Sequence, residues 1–172
     1  MKRLYLLRHA MAGRDDSGAG DFRRSLSPRG MGDAAAMGRA LAGREVRPEA
    51  VFSSPSFRTR ETLEIIAPLM GFPFGEVRFR DLLYLAPRED LVSFIRGLDD
   101  RWDRVFLCGH NPGLEEAGAF FLRGGTGGFP PCSFREIGFA ADSWRGAGPE
   151  TAKGKAFLTP GMLEPGRVRC SR

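Results

Sequence analysis

The chain is poor in the residues that carry most chemistry at neutral pH. Two histidines and three cysteines stand among its 172 residues. Cys108, Cys132 and Cys170 are an odd, scattered set with no Cys-x-x-Cys spacing. That speaks against a disulfide framework or a zinc site and suits a reducing compartment. With so few histidines and no compact carboxylate cluster, a metal has few ligands. Asp15 and Asp16 could hold a cation, but an exposed acidic turn is the simpler reading, so neither metal nor other cofactor is expected. No apolar run approaches the roughly 20 residues of a membrane span. The opening MKRLYLL loses its apolar character at Arg8-His9, too early for a signal-peptide core. A cytoplasmic protein with no membrane partner is the expectation. Lysine is scarce as well, with only Lys2, Lys153 and Lys155 beside 23 arginines. The arginines are dispersed, with no basic tract or aromatic-interleaved stripe, so the net charge of +5 does not imply nucleic-acid binding. It can still help recruit an anionic substrate.

Periodicity, by contrast, is abundant. An apolar fraction of 42% and a charged fraction of 27% are ordinary for a globular protein, and the length favours a single domain over 1–172. Ser27-Pro28 reads as a helix cap followed by proline at the first helical position, with Ala34, Met37 and Leu41 behind it. Leu63, Ile66, Ala67 and Met70 form a second stripe ended by Gly71. Leu91, Phe94, Ile95 and Leu98 form a third after Pro87. Leu114, Ala117, Gly118 and Phe121 form a fourth after Pro112, stopping at Gly124-Gly125. Short apolar runs at 3–8, 50–53, 77–80 and 104–108 lie between them, with further strand candidates at 134–140 and 154–158. Strands alternating with helices predict a three-layer α/β/α sandwich, its mostly parallel sheet covered by helices on both faces. Residues 13–21 read as a loop, 124–131 as a connection and 161–172 as a tail or strap.

Both histidines sit where an apolar run meets a loop: LYLLRHA at 4–10 and VFLCGHNPG at 105–113. Placement alone leaves two readings open, a catalytic pair or two hydrogen-bonded structural histidines. In an open parallel sheet, ligands bind at the carboxyl ends of the strands. Arg8 and His9 end the first run, Ser53, Ser54 and Pro55 the second, and Gly109 and His110 the fourth. Arg58 follows at the start of the second helix. One pocket could therefore hold His9, His110, Arg8 and Arg58, and its match is a small dense anion such as phosphate. Guanidinium forks bind phosphate oxygens bidentately, and a charge-assisted hydrogen bond contributes roughly 1.5–3 kcal/mol. Nearby cations favour neutral imidazole, which can attack phosphorus and split one displacement into two. With arginines supplying the charge, a metal is not mandatory.

These residues also resemble a known family. L-R-H-A at 7–10, S-S-P-S-F-R-T-R-E-T at 53–62 and G-H-N-P-G at 109–113 resemble the histidine phosphatase superfamily, and most closely its short SixA-like phosphohistidine phosphatase branch. D-F-R-R-S-L-S-P-R-G at 21–30 is similar to that branch's segment before the first helix. The resemblance runs from residue 3 to about 122, roughly the first two-thirds of the chain. It implies that His9 accepts the phosphoryl group, Arg8 and Arg58 bind its oxygens, and His110 stabilises it in transfer. Gly109, Asn111 and Arg24 are implied as substrate-binding, although Arg24 fits a structural loop arginine equally well. Thr62 is read as packing or support, Arg60 as solvent-facing or a peripheral ion-pair partner, and Cys108 as buried packing.

The resemblance has departures. Ala10 replaces the glycine of the mutase-like pattern, and a Gly/Asp-rich loop follows. Asp81 and Glu89 lie where some relatives carry a proton donor, but neither has a diagnostic context. A phosphoramidate substrate, whose leaving nitrogen can already be protonated, would need such a donor less. The expected activity is metal-independent hydrolysis through phospho-His9, acting on a phosphorylated protein such as a histidine phosphotransfer domain. The alternatives are a small phosphorylated metabolite at the same site, or a non-catalytic phosphate-binding or interaction module.

Overall fold

The structure, a computed structural model, describes residues 1–14, 18, 20–124 and 128–163. Strand β1 (Lys2–Arg8) runs through its centre because it has two apolar faces. Leu4 and Leu6 belong to one core and Tyr5 and Leu7 to the other, and all four are buried. A strand covered on both sides reads as a continuous apolar run rather than an alternation. The sheet order is β3 (Arg78–Phe79), β2 (Ala50–Ser53), β4 (Arg104–Gly109), β1, β5 (Phe134–Phe139), β6 (Ala152–Leu158). The first four strands are mutually parallel, while β5 and β6 add on as antiparallel neighbours. Helices α1 (Pro28–Gly43) and α2 (Phe57–Leu69) cover the face of Tyr5 and Leu7. Helices α3 (Arg88–Arg96) and α4 (Gly113–Phe121) cover the face of Leu4 and Leu6. The short α5 (Pro160–Leu163) packs beside α1. This is the expected three-layer sandwich, with a sheet that is parallel except at one edge.

Local chemistry sets the element ends. The Ser27 side chain accepts from the Gly30 amide at 3.0 Å, and Pro28 opens α1. α3 ends at Arg96 because Gly97 caps it, so Leu98 of the predicted stripe is buried beyond the helix rather than on it. The run at 77–80 contributes only two strand residues, since Val77 closes the turn Phe74–Glu76. At the other edge β6 starts at Ala152, earlier than its apolar residues indicate, because pairing with β5 does not require apolar side chains. Asp15, Asp16, Gly125, Cys170 and the 164–172 part of the expected tail lie outside the described residues. Among the described residues no helix is long and apolar enough to cross a membrane.

The consequence for the site is geometric. β1, β2 and β4 are parallel neighbours ending at Arg8, Ser53 and Gly109, so the three loops that follow open on one edge of the sheet. Gly113 lets the loop before α3 come close: a Cβ there would lie 1.9 Å from the Ala86 carbonyl oxygen. That approach carries Tyr84 and Leu85 to the same edge.

Candidate active site

His9 follows β1 directly. Its amide donates to the Gly109 carbonyl at 3.1 Å and its carbonyl accepts from the Cys132 amide at 2.9 Å. The backbone beneath the ring is therefore tied to β4 on one side and to the approach to β5 on the other. Nδ1 lies 2.7 Å from the Ala10 carbonyl oxygen. A carbonyl only accepts, so Nδ1 carries the hydrogen and the neutral ring keeps its lone pair on Nε2.

Arg58, the second residue of α2, organises the rest while being only 3% exposed. One edge of its guanidinium spans the two histidines: Nε donates to His9 Nε2 and Nη2 to His110 Nδ1, each at 3.3 Å. The other edge grips Asp21, with Nη1 on its carbonyl at 2.5 Å and Nη2 on its carboxylate at 2.8 Å. Because arginine cannot accept, His110 Nδ1 holds a lone pair, and its Nε2–H donates to Ser54 Oγ at 2.7 Å. The two imidazole centroids are 5.2 Å apart. Thr62 supports both sides: its hydroxyl donates to the Arg58 carbonyl at 2.6 Å and accepts from the Ala10 amide at 3.0 Å.

The electrostatics follow from this arrangement. Burial, outweighing the hydrogen bond to Ala10 and reinforced by the positive Arg58 and Arg8, pushes His9 down to about 4. His110 falls to about 3, again mainly by burial, with His9 and Arg58 adding to it. Both rings are neutral at pH 7. Asp21 moves the other way in charge preference. Its partial burial alone would raise its pKa, but hydrogen bonds from Tyr84 and Arg58 and the Arg58 charge win and hold it at about 2. The ionised carboxylate clamps the Arg58 guanidinium.

A cleft of about 450 Å³ opens over these groups, and Arg8, Arg24 and Asn111 line it too. Arg8 spends Nη1 on the Phe129 carbonyl at 2.9 Å, while its buried Nε has no partner among the described residues. Asn111 donates to Glu115 and Phe129, leaving its buried Oδ1 unpartnered. Arg24 is largely spent on the loop: Nε and Nη2 donate to the Gly13 carbonyl, and Nη1 to Asp21 at 3.2 Å. Gly109 acts through its carbonyl on His9 and does not line the cleft.

Asp81 and Glu89 are exposed and also outside the lining, with Glu89 paired to Arg88. Cys108 is buried and its thiol is pushed well above its ordinary value by burial. Arg60 is exposed, its guanidinium 4.2 Å from the centre of the Phe79 ring. The structure thus brings His9, His110, Arg8 and Arg58 together, with Arg24 and Asn111 at the margin.

Sequence reasoning missed three contributors. Asp21 belongs to the D-F-R-R segment, whose Arg24 alone was assigned a role. Tyr84, whose hydroxyl donates to Asp21 at 2.8 Å and whose ring meets His110 edge-on at 5.5 Å, is one of only two tyrosines. Its rarity inside the apolar run D-L-L-Y-L is the signal that could have found it. Phe129, whose carbonyl holds both Arg8 and Asn111, gives no side-chain signal at all.

Comparison with known proteins points to one family. Residues 4–83 match the histidine phosphatase superfamily (branch 1). An uncharacterised chloroplastic protein of Arabidopsis thaliana is 31% identical over 154 residues, which is 85% of this chain and 70% of that protein. A solved structure from Agrobacterium tumefaciens, assigned as the phosphohistidine phosphatase SixA, superposes with a TM-score of 0.78 at 27% identity, covering 92% of this chain and 98% of that one. A mycobacterial glucosyl-3-phosphoglycerate phosphatase superposes with a TM-score of 0.68 at 18% identity, over 92% and 100% of the two chains, a likeness of fold. Similar in sequence where the two arginines and His9 reside, and in structure over nearly its whole described length, the chain belongs to the histidine phosphatase superfamily.

Proposed function

We propose that the protein is a phosphohistidine phosphatase that works through a phosphorylated His9. The observation that carries this reading is the state of His9: a neutral ring whose Nε2 lone pair accepts from the Arg58 Nε–H, with the His110 ring centroid 5.2 Å away. A phosphoryl group entering between the rings receives the Arg8 guanidinium, which lines the cleft, and the Arg58 edge that now rests on the histidines. Two such charge-assisted bonds, at roughly 1.5–3 kcal/mol each, supply about 3–6 kcal/mol. The arginines provide the charge stabilisation, so the reaction as proposed needs no metal.

In the first step a bond forms from His9 Nε2 to phosphorus as the bond from phosphorus to the substrate nitrogen breaks. The leaving imidazole departs neutral, because the substrate ring enters with a proton on its other nitrogen and keeps it as the bond to phosphorus breaks. In the second step water attacks phosphorus, the bond to Nε2 breaks, and inorganic phosphate leaves. The dianion favours protonation of His110, whose Nδ1 then donates to a phosphoryl oxygen.

The reading takes a phosphorylated protein as substrate, such as a histidine phosphotransfer domain, in the cytoplasm. A small phosphate ester at the same site is the second reading, favoured by the unpartnered Asn111 Oδ1, which suits a substrate hydroxyl. The test is to incubate the protein with a labelled phosphodonor, quench, and locate acid-labile phosphate. Label on His9 with loss of turnover in His9→Ala is expected; undiminished turnover in that variant overturns the mechanism. Strong preference for one phosphate ester over a phosphohistidine protein overturns the substrate.

A further inference from the structure

The floor of the cleft is cationic, but large apolar side chains also stand at its rim, and one of them is strained. Leu85 is 50% exposed and its φ is 49°, the left-handed region that a Cβ disfavours. The backbone there has its own reasons. Ala86 is pinned by its close approach to Gly113, and the preceding Tyr84 is pinned by its hydroxyl on Asp21. The leucine side chain has none: glycine or asparagine would relieve the strain and expose no apolar surface. Strain kept at a cleft mouth points to function rather than stability.

Leu85 has company. Met11 lines the same cleft and is also exposed, and Phe22 is exposed with its ring edge against Tyr84, centroids 5.1 Å apart. Three separate segments, after β1, before α1 and before α3, thus each present a large apolar side chain near one cationic floor.

We propose that Leu85, Met11 and Phe22 form a docking surface for the protein that carries the phosphohistidine. The proposal rests on the phosphohistidine reading above and names what that substrate must present: apolar side chains flanking the phosphorylated ring. A free phosphate or a sugar phosphate has no apolar surface to bury against this rim. A polypeptide does, and it delivers its phosphoryl dianion to the cationic floor in the same movement. The rim is continuous with that floor through Leu85 and Met11, which touch the cleft itself.

The experiment compares two substrates: inorganic phosphoramidate, which meets only the floor, and a histidine phosphotransfer domain phosphorylated on its histidine with phosphoramidate. Leu85→Gly and Leu85→Asn both suit the left-handed backbone, so folding is preserved, and Met11→Gln removes a second apolar contact. Burying one leucine at an interface corresponds to about a tenfold effect or more. The expected result is a loss of about tenfold in kcat/KM on the phosphorylated domain in either Leu85 variant, deepening with Met11→Gln, and unchanged phosphoramidate hydrolysis. Equal loss on both substrates, or loss on neither, overturns the docking surface alone. Wild-type protein that hydrolyses phosphoramidate but leaves the phosphorylated domain intact overturns the phosphohistidine-protein reading, and the docking surface with it.

Discussion

Acid should weaken this protein through its active site, and the effect can be isolated because His9 and His110 are its only histidines. In the unfolded chain both titrate near about 6.5. In the fold His9 is held at about 4 and His110 at about 3. Between those values and the unfolded one, the unfolded chain binds protons that the native state does not. Stability is therefore full above about pH 6.5 and is lost as pH falls toward the native values. At about pH 5 each histidine costs about 2 kcal/mol relative to neutral pH, the His9 share being an upper figure because solvent reaches its ring. The pair together costs about 3–4 kcal/mol, a large part of a typical domain stability of about 5–15 kcal/mol. Asp21, held at about 2, adds its own loss only below the ordinary carboxylate range, so the two windows separate. Urea unfolding near neutral pH and near about pH 5 measures the difference for wild type, His9→Gln, His110→Gln and the double variant. Each single variant should lose about half the pH dependence, and the double variant nearly all of it. If wild type and double variant lose the same amount, the histidines titrate as in free solution and the electrostatic account of the site is wrong. Histidine NMR gives a second readout: both midpoints should rise when inorganic phosphate is added, since a dianion favours imidazolium.

Other expectations test the arrangement around that pair. Arg58→Lys keeps the charge but loses the fork that joins His9, His110 and Asp21, so kcat/KM should fall about 10²–10⁴-fold, the worth of two charge-assisted bonds; a loss under about tenfold would contradict the role of the fork. Asp21→Asn removes a negative charge beside the anion seat while loosening Arg58. Inhibition by tungstate should tighten several-fold as kcat drops, and an unchanged inhibition constant would show that Asp21 lies outside the field felt by the anion. Gly113→Ala drives a Cβ into the Ala86 carbonyl and should cost about 1–3 kcal/mol, read as a lower Tm. A Tm equal to wild type would show that the loop before α3 yields freely.

Much of this molecule was legible in its sequence because the main signals are local. Apolar runs ending at Arg8, Ser53 and Gly109 gave the parallel strands, and parallel strands carry their loops to one edge. The gathering of His9, His110, Arg8 and Arg58 at that edge is legible in the same way, while the division of roles among them rests on the family resemblance. The parts that escaped are made by distance. Asp21 reaches Arg58 across 37 positions, and nothing in an acidic loop residue announces its partner. Asp81 and Glu89 drew attention by position in the chain, yet the carboxylate that enters the cleft is Asp21. Leu98 matched a helical stripe because periodicity extends past a cap, whereas Gly97 ends the hydrogen bonding. Main-chain contacts such as the Phe129 carbonyl are invisible to any reading of side chains.

That carbonyl has a consequence for engineering. Every recognisable motif of the site lies before residue 122, yet Arg8 and Asn111 both hang on Phe129. The Phe129 ring in turn stacks on Phe157 of β6, centroids 6.1 Å apart. Among the described residues the C-terminal hairpin does not line the cleft, but through Phe129 it fixes where Arg8 ends. Grafting the motif-bearing segment onto another hairpin would transplant the side chains of the site and leave Arg8 and Asn111 without their shared anchor.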